Sequence, residues 1–212
     1  MSVPNLILVI SGPSGVGKGT LVNHYLARHQ DSFLSISLTT RKPRPGEING
    51  KDYYFVSREE FQEHVKSDRL LEWAEVFGDM YGTPRGPVDD ALSKGQDALL
   101  EIDVQGGLRV KSKAPEAVLV FVLPPSRKEL RRRLLNRGTE SQSQLEYRLQ
   151  VAEVEFKHLS YYDYYLINDR LDEAVADLEK IVFVEKHRVS RVSHLWVEGG
   201  DSLAGSGSGE LA

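Results

Sequence analysis

Leu6-Ile7-Leu8-Val9-Ile10-Ser11-Gly12-Pro13-Ser14-Gly15-Val16-Gly17-Lys18-Gly19-Thr20 is the stretch on which the fold turns. Its first five residues form a short, fully apolar run bounded by glycine, the pattern of a strand buried on both faces of a parallel sheet. A helical pattern starts near Lys18. Strand, glycine loop and helix in that order are the context a phosphate-binding P-loop needs. Glycines let the backbone curl so that successive N–H groups point inward as an anion nest. The helix start adds unpaired N–H donors and the positive end of its dipole. Lys18 supplies a point charge for the β- and γ-phosphates of a nucleotide. A glycine pair alone would be weak evidence; here the strand, the Gly12-to-Lys18 frame and the lysine coincide. The motif departs from its usual form at Gly19, where Ser or Thr commonly holds magnesium. The hydroxyl comes one residue later, at Thr20, which leaves open which protein oxygen meets the metal.

Outward from this loop, the chain of 212 residues is long enough for one large domain or one domain with inserts. Hydrophobic and charged fractions of 40% and 27% suit a soluble globular protein with ample core. A net charge of −4 argues against a nucleic-acid partner or a membrane surface. No window reaches the ~18 apolar residues of a membrane span, and the N-terminus lacks the basic region of a signal peptide. The chain has no cysteine, so it has neither disulfides nor thiolate metal sites, which is compatible with a cytoplasmic location. His24, His29, His64, His158, His187 and His194 form no ligand pair, so any metal arrives with the nucleotide.

Strand-like runs alternate with helical patterns, the signature of an α/β sheet. Ala98–Asp103, Ala117–Leu123 and Tyr164–Asn168 read as further buried strands. Ser126 and Glu129 form a capping box for a helix closed by Gly138; Ser141 and Gln144 open a second. In the second, Leu145, Leu149, Ala152, Phe156 and Leu159 recur as one apolar stripe. A final helix runs from about Asp172 through Phe183 and beyond. Residues 37–88 have a different texture, with Tyr53–Val56 and Leu70–Phe77 as strands and a helix over Ser57–Val65, and read as an insert on the parallel core. The Gly/Ser-rich residues 198–212 read as a flexible tail.

Within the insert, Thr39-Thr40-Arg41-Lys42-Pro43-Arg44-Pro45-Gly46-Glu47 places two guanidinium forks on a loop stiffened by proline. Such forks suit a phosphate monoester, to which each donates charge-assisted bonds. The phenols of Tyr53 and Tyr81 can complete a cage. Alone, each of these features is as compatible with a solvated basic turn and ordinary aromatics.

With the P-loop, this segment, Asn49-Gly50-Lys51-Asp52-Tyr53, Leu71-Glu72-Trp73-Ala74-Glu75, Tyr81-Gly82-Thr83, Ile102-Asp103-Val104-Gln105-Gly106 and Asn136-Arg137-Gly138-Thr139, the chain from Leu6 to Arg188 resembles the guanylate kinases, P-loop nucleoside-monophosphate kinases. The resemblance implies a P-loop NTPase-type parallel sheet with helices on both faces: core about 1–36 and 89–197, GMP-binding insert about 37–88, lid about 137–148. It implies the reaction ATP + GMP = ADP + GDP by direct in-line transfer, with Mg²⁺ accompanying ATP. Gly12, Pro13, Ser14, Gly15, Val16, Gly17, Lys18, Gly19, Thr20, Arg133 and Asn168 would bind ATP, Asn168 at the adenine. Ser37, Arg41, Arg44, Tyr53, Glu72, Tyr81, Thr83 and Asp103 would bind GMP. Lys18, Arg41, Arg137 and Arg148 would be catalytic, because phosphoryl transfer is served by positioning and cations. Glu72 would accept from guanine N1–H and the exocyclic amine; adenine offers a lone pair there and lacks the amine, a mismatch that can reach ~10⁴-fold. Glu101 stands where the family commonly has aspartate, so Thr20 and Glu101 are both candidates to meet the metal through water. On a helix, residues 131, 132 and 133 point in three directions, so the arginines there do not all reach the phosphates. The insert is expected to be open when empty, since a cationic cage repels itself. The other reading is a non-catalytic guanylate-kinase-like protein-interaction module, which usually has a damaged P-loop; Lys18 is present here. The oligomeric state, monomer or homodimer, is open at this stage.

Overall fold

The computed structural model describes residues 4–76, 78–136 and 142–192. Two sheets organise it. The larger is wholly parallel, in the order β2 (Phe33–Leu34), β7 (Ala98–Glu101), β1 (Ile7–Ser11), β8 (Val118–Leu123), β9 (Tyr164–Ile167). The smaller is mixed, in the order β4 (Tyr54–Phe55), β3 (Leu38–Thr39), β6 (Asp79–Pro84), β5 (Leu70–Val76). Among the described residues, seven α-helices join them: α1 (Lys18–Arg28), α2 (Arg58–Lys66), α3 (Arg85–Ser93), α4 (Val104–Lys113), α5 (Arg127–Leu135), α6 (Gln142–Phe156) and α7 (Leu171–Lys186).

β1 is central because it can be buried on both sides. Leu6, Leu8 and Ile10 face a core shared with Leu21, Val22 and Tyr25 of α1 and Val175 and Leu178 of α7. Ile7 and Val9 face the opposite core, with Val88 of α3 and Val110 of α4. Full burial of each such side chain is worth about 1.5–3 kcal/mol, so a short strand suffices. The chain leaves β1 toward β2 at one edge of the sheet and leaves the adjacent β8 toward β9 at the other, and ligand crevices open at the carboxyl ends of strands at such a switch point. The P-loop lies there.

The small sheet has its own core, built from Leu38, Phe61, Leu70 and Met80. It docks on the main body through β5: Leu70 faces that small core, whereas adjacent Leu71 joins the main one. Lys113 Nζ of α4 also donates to the Leu70 carbonyl at 3.2 Å.

Several boundaries differ from the sequence reading. β7 stops at Glu101, not Asp103, because the Asp103 carboxylate caps α4, accepting from Gly106 N at 2.7 Å. Residues 85–88 open α3, and Val88 packs in the main core, so the small sheet ends at Pro84. Leu159 drops out of the α6 stripe: Lys157 N and His158 N bond carbonyls three residues back, and a short 3-10 turn, Leu159–Tyr161, follows. The caps at Ser57 and Ser126 form, with Oγ accepting from Glu60 N and Glu129 N. The Glu129 carboxylate, however, bonds Arg132 and Arg133 and does not reach back to the cap. Gly138, Ser141, Phe77, the tail and the first part of the lid lie outside the described residues. No described helix is long and apolar enough to cross a membrane.

Candidate active site

Gly12 leaves β1 at φ 142, and a Cβ there would lie 2.4 Å from the Val122 carbonyl oxygen of β8. Only glycine lets the loop turn that closely past the neighbouring strand. Pro13, Ser14, Gly15 and Val16 continue the curl to Gly17, which caps α1 in the left-handed region. Lys18 folds back over it, Nζ donating to the carbonyls of Gly12 at 2.6 Å and Pro13 at 3.3 Å. Three distant side chains hold the loop from outside. Arg148 Nη1 of α6 donates to Ser14 Oγ at 3.0 Å. Arg133 Nη1 of α5 and Asn168 Nδ2, just after β9, donate to the Val16 carbonyl at 3.2 and 2.9 Å. Asn168 is buried, and its amide nitrogen is engaged with the loop backbone. Of the three consecutive arginines only Arg133 reaches the loop; Arg131 pairs with Glu146 and Arg132 with Glu129. Arg137 lies outside the described residues.

Gly19 and Glu101 are linked in space. A Cβ at 19 would stand 3.3 Å from Glu101 Oε2, so the longer carboxylate fills the room that the missing side chain leaves. Thr20, next along α1, is exposed.

In the small sheet, Arg41 lies with its guanidinium over the Tyr53 ring, 5.3 Å from the centroid, and donates from Nε to Tyr81 Oη at 3.2 Å. The Tyr53 and Tyr81 rings meet edge to face at 6.0 Å. Burial raises the Tyr53 phenol, with the Glu101 charge next in effect. Arg44 is exposed on the same loop. Of the four side chains expected at the GMP phosphate, Arg41, Tyr53 and Tyr81 stand together, with Arg41 held by Glu47 as well.

Glu72 is 4% exposed on β5, opposite Thr83 of β6 in the strand register. Thr83 Oγ1 donates to its Oε1 at 2.7 Å. Burial pushes the Glu72 carboxyl up to about 7; the Thr83 bond opposes this, Asp103 adds to it and Arg109 opposes it. The start of α4 presses close, since a Cβ on Gly106 would stand 2.9 Å from Glu72 Oε2. The register pairing Leu38 with Gly82 and Thr39 with Tyr81 runs Ser37 toward Thr83. Among the described residues Glu72 is in no ion pair, and a buried carboxylate without one is costly in a structural role and suits a recognition site for paired N–H donors.

Two carboxylates were missed on sequence. Glu155 of α6 is raised by burial, with Lys18 pulling the other way and Asp103 adding to the rise. It stands seven residues after Arg148, hence on the same helix face, and that spacing was the available signal. Glu47 belongs to the Arg41–Arg44 segment itself, where its position closing the loop was the clue.

Comparison with known proteins gives one consistent result. The guanylate kinase family model matches residues 5–185. A guanylate kinase of Syntrophomonas wolfei is 46% identical over 193 residues, covering 91% of this chain and 99% of that protein. One of Thermus thermophilus is 52% identical over 186 residues, covering 88% and 84%. The crystal structure of guanylate kinase from Anaplasma phagocytophilum superposes with a TM-score of 0.77 at 36% identity, covering 93% of this chain and 96% of that one.

Proposed function

The chain belongs to the guanylate kinase family, which phosphorylates GMP at the expense of ATP, and from that premise we propose how its residues divide the work. The small sheet belongs to the GMP-binding insert, about residues 37–88, and residues 137–148, which reach into the first half of α6, form the lid. Glu72, ionised, accepts from guanine N1–H and the 2-amino group, with Thr83, Ser37 and Asp103 around the base. Arg41, Arg44, Tyr53 and Tyr81 hold the GMP phosphate. The P-loop N–H groups and Lys18 hold the ATP phosphates, the Lys18 ammonium exchanging loop carbonyls for phosphate oxygens. Arg148 and Arg137 close over the transferred group, whose charge spreads over its equatorial oxygens. Asn168 and Arg133 keep the loop in shape. Closure of lid and insert excludes water, which would otherwise accept the phosphoryl group.

Mg²⁺ fits the donors present: a carboxylate at Glu101 and a hydroxyl at Thr20 near the loop, with phosphate and water supplying the other oxygens such an ion takes. Bound there, it would neutralise charge on ATP oxygens. Among the described residues no group of three or more His, Asp or Glu side chains could hold a metal.

The observation that carries the acceptor's identity is the buried Glu72–Thr83 pair. A coupled ADP-release assay with Mg-ATP and GMP, beside AMP, dTMP and no acceptor, tests it. Turnover with GMP alone is expected; turnover with AMP at a similar rate would remove Glu72 from its role. An intact P-loop gripped by three side chains is more than a protein-interaction module needs.

A further inference from the structure

Glu47 is the best-connected carboxylate in the phosphate cage. Its Oε1 accepts from Arg41 Nη2 at 2.9 Å and its Oε2 from Arg41 Nη1 at 3.0 Å. Oε2 also accepts the Arg44 backbone N–H at 2.7 Å. The Glu47 N–H bonds the Arg44 carbonyl at 3.0 Å, which closes residues 44–47 into a turn through Gly46 at φ 88. The ion pair is sheltered, with side-chain exposures of 12% for Arg41 and 19% for Glu47. The Arg41 guanidinium holds the Glu47 carboxyl below its usual range, and Glu47 raises Arg41 in return.

A donor count shows what this leaves for a substrate. Arg41 has five N–H groups. Nε goes to Tyr81, Nη1 to Glu47 and the Lys42 carbonyl, and one Nη2 hydrogen to Glu47. A single Nη2 N–H is left over. The Tyr81 oxygen, because it accepts from a cation, turns its own proton outward as a donor. Arg44 is tied at its backbone, while its guanidinium makes no hydrogen bond among the described residues.

Resting on the reading that Arg41, Arg44, Tyr53 and Tyr81 receive the GMP phosphate, we propose that Glu47 is a positioning residue for that phosphate. It fixes the plane of the Arg41 guanidinium and the backbone of Arg44. The phosphate then meets one Arg41 N–H, the Tyr81 hydroxyl and the Arg44 guanidinium in preset places. A stand-in anion, expelled when phosphate arrives, would use the same fork. Two features favour positioning. The carboxylate is bonded into the 44–47 turn and leaves only if the turn opens, and Arg41 is held from its other sides by Tyr81 and Lys42.

The two roles differ in sign. Removing a negative charge beside an anion site strengthens phosphate binding by charge alone; removing an orienting group weakens it. Dissociation constants for GMP and guanosine are measured by calorimetry on the full chain, as wild type, Glu47→Gln, Glu47→Asp and Arg41→Gln. Positioning predicts that Glu47→Gln weakens GMP about tenfold, the scale of one charge-assisted bond, and leaves guanosine unchanged. Glu47→Asp recovers part of the loss, and KM for GMP rises more than kcat falls. Tighter GMP binding by Glu47→Gln, or equal losses for GMP and guanosine, overturns the proposal. If Glu47→Gln does not fold, the ratio of GMP to guanosine affinity in Glu47→Asp decides in the same way. Arg41→Gln separates the two layers. If it costs GMP affinity and Glu47→Gln does not, positioning alone fails; if it leaves GMP affinity intact, the cage assignment fails and takes this proposal with it.

Discussion

Glu72 is where one side chain's environment sets a measurable property of the enzyme. Its folded carboxyl titrates at about 7, above the ordinary 4.5, chiefly through burial. Between those values the empty folded protein keeps a proton that the unfolded chain has lost. Its contribution to stability therefore falls as pH rises through that window and levels off above it. In the proposed role GMP needs the anion, so affinity should run the other way. From pH 8 to pH 6 the dissociation constant for GMP is expected to rise about tenfold with proton release on binding, read by calorimetry in two buffers. Guanosine, which lacks a titrating phosphate, must show the same slope; a flat guanosine profile would detach the effect from Glu72. Glu72→Gln should lower kcat/KM for GMP by about 10²-fold or more and flatten the profile, checked by steady-state kinetics. Glu72 itself was legible in Leu71-Glu72-Trp73 only through the family resemblance. Its burial was not, because a period-two strand pattern does not say which carboxylate is capped by a neighbouring helix. The Glu47 contact is not legible in its motif, since a sequence does not show which way a guanidinium fork turns.

At the scale of elements, the P-loop is held by contacts from three segments that follow it by more than a hundred residues. Asn168 is the buried one. Asn168→Ala removes one of the two side-chain donors to the Val16 carbonyl, leaving Arg133, and should cost about 1 kcal/mol in urea unfolding, with a raised KM for ATP. Unchanged values for both would mean that the bond to Val16 carries no load. The sequence reading sends Asn168 to adenine; the structure engages its amide nitrogen with the loop backbone and leaves Oδ1 as the group able to face a base. Gly12→Ala forces a Cβ into the Val122 carbonyl at a φ that L-residues avoid, so β1 and β8 must separate locally. A stability loss beyond about 1 kcal/mol together with loss of ATP binding is expected, measured by urea titration and by ADP calorimetry. The Ser57 and Ser126 caps and the apolar run of β1 are legible at this scale. Ser57, Ser126 and the apolar runs act through neighbours three or four residues away.

For the whole molecule, most of the side chains proposed for the base and the GMP phosphate ride on the small sheet and the P-loop on the large one, joined through Leu70 and Leu71 of β5. Two bodies that each hold one substrate close when both are bound. Solution scattering with GMP and an ATP analogue should show compaction relative to the empty enzyme, and superimposable profiles would count against a mobile insert. The expected cause changes, however. Self-repulsion of an empty cationic cage is reduced because Glu47 already balances Arg41. Closure then rests on the ligands bridging the two sheets and on Arg44 and Arg148 finding phosphate.

The amino-acid sequence alone determined the central strand, the P-loop, the helix caps and the α/β alternation. Those depend on chirality, side-chain period and hydrogen bonds between near neighbours. Only the tertiary structure decided that Glu101 lies over Gly19, that Asn168 grips Val16 and that Glu47 occupies the Arg41 fork. Each is a choice of partner within about 3–4 Å among groups that the chain brings together only when it folds, and no local pattern encodes such a choice.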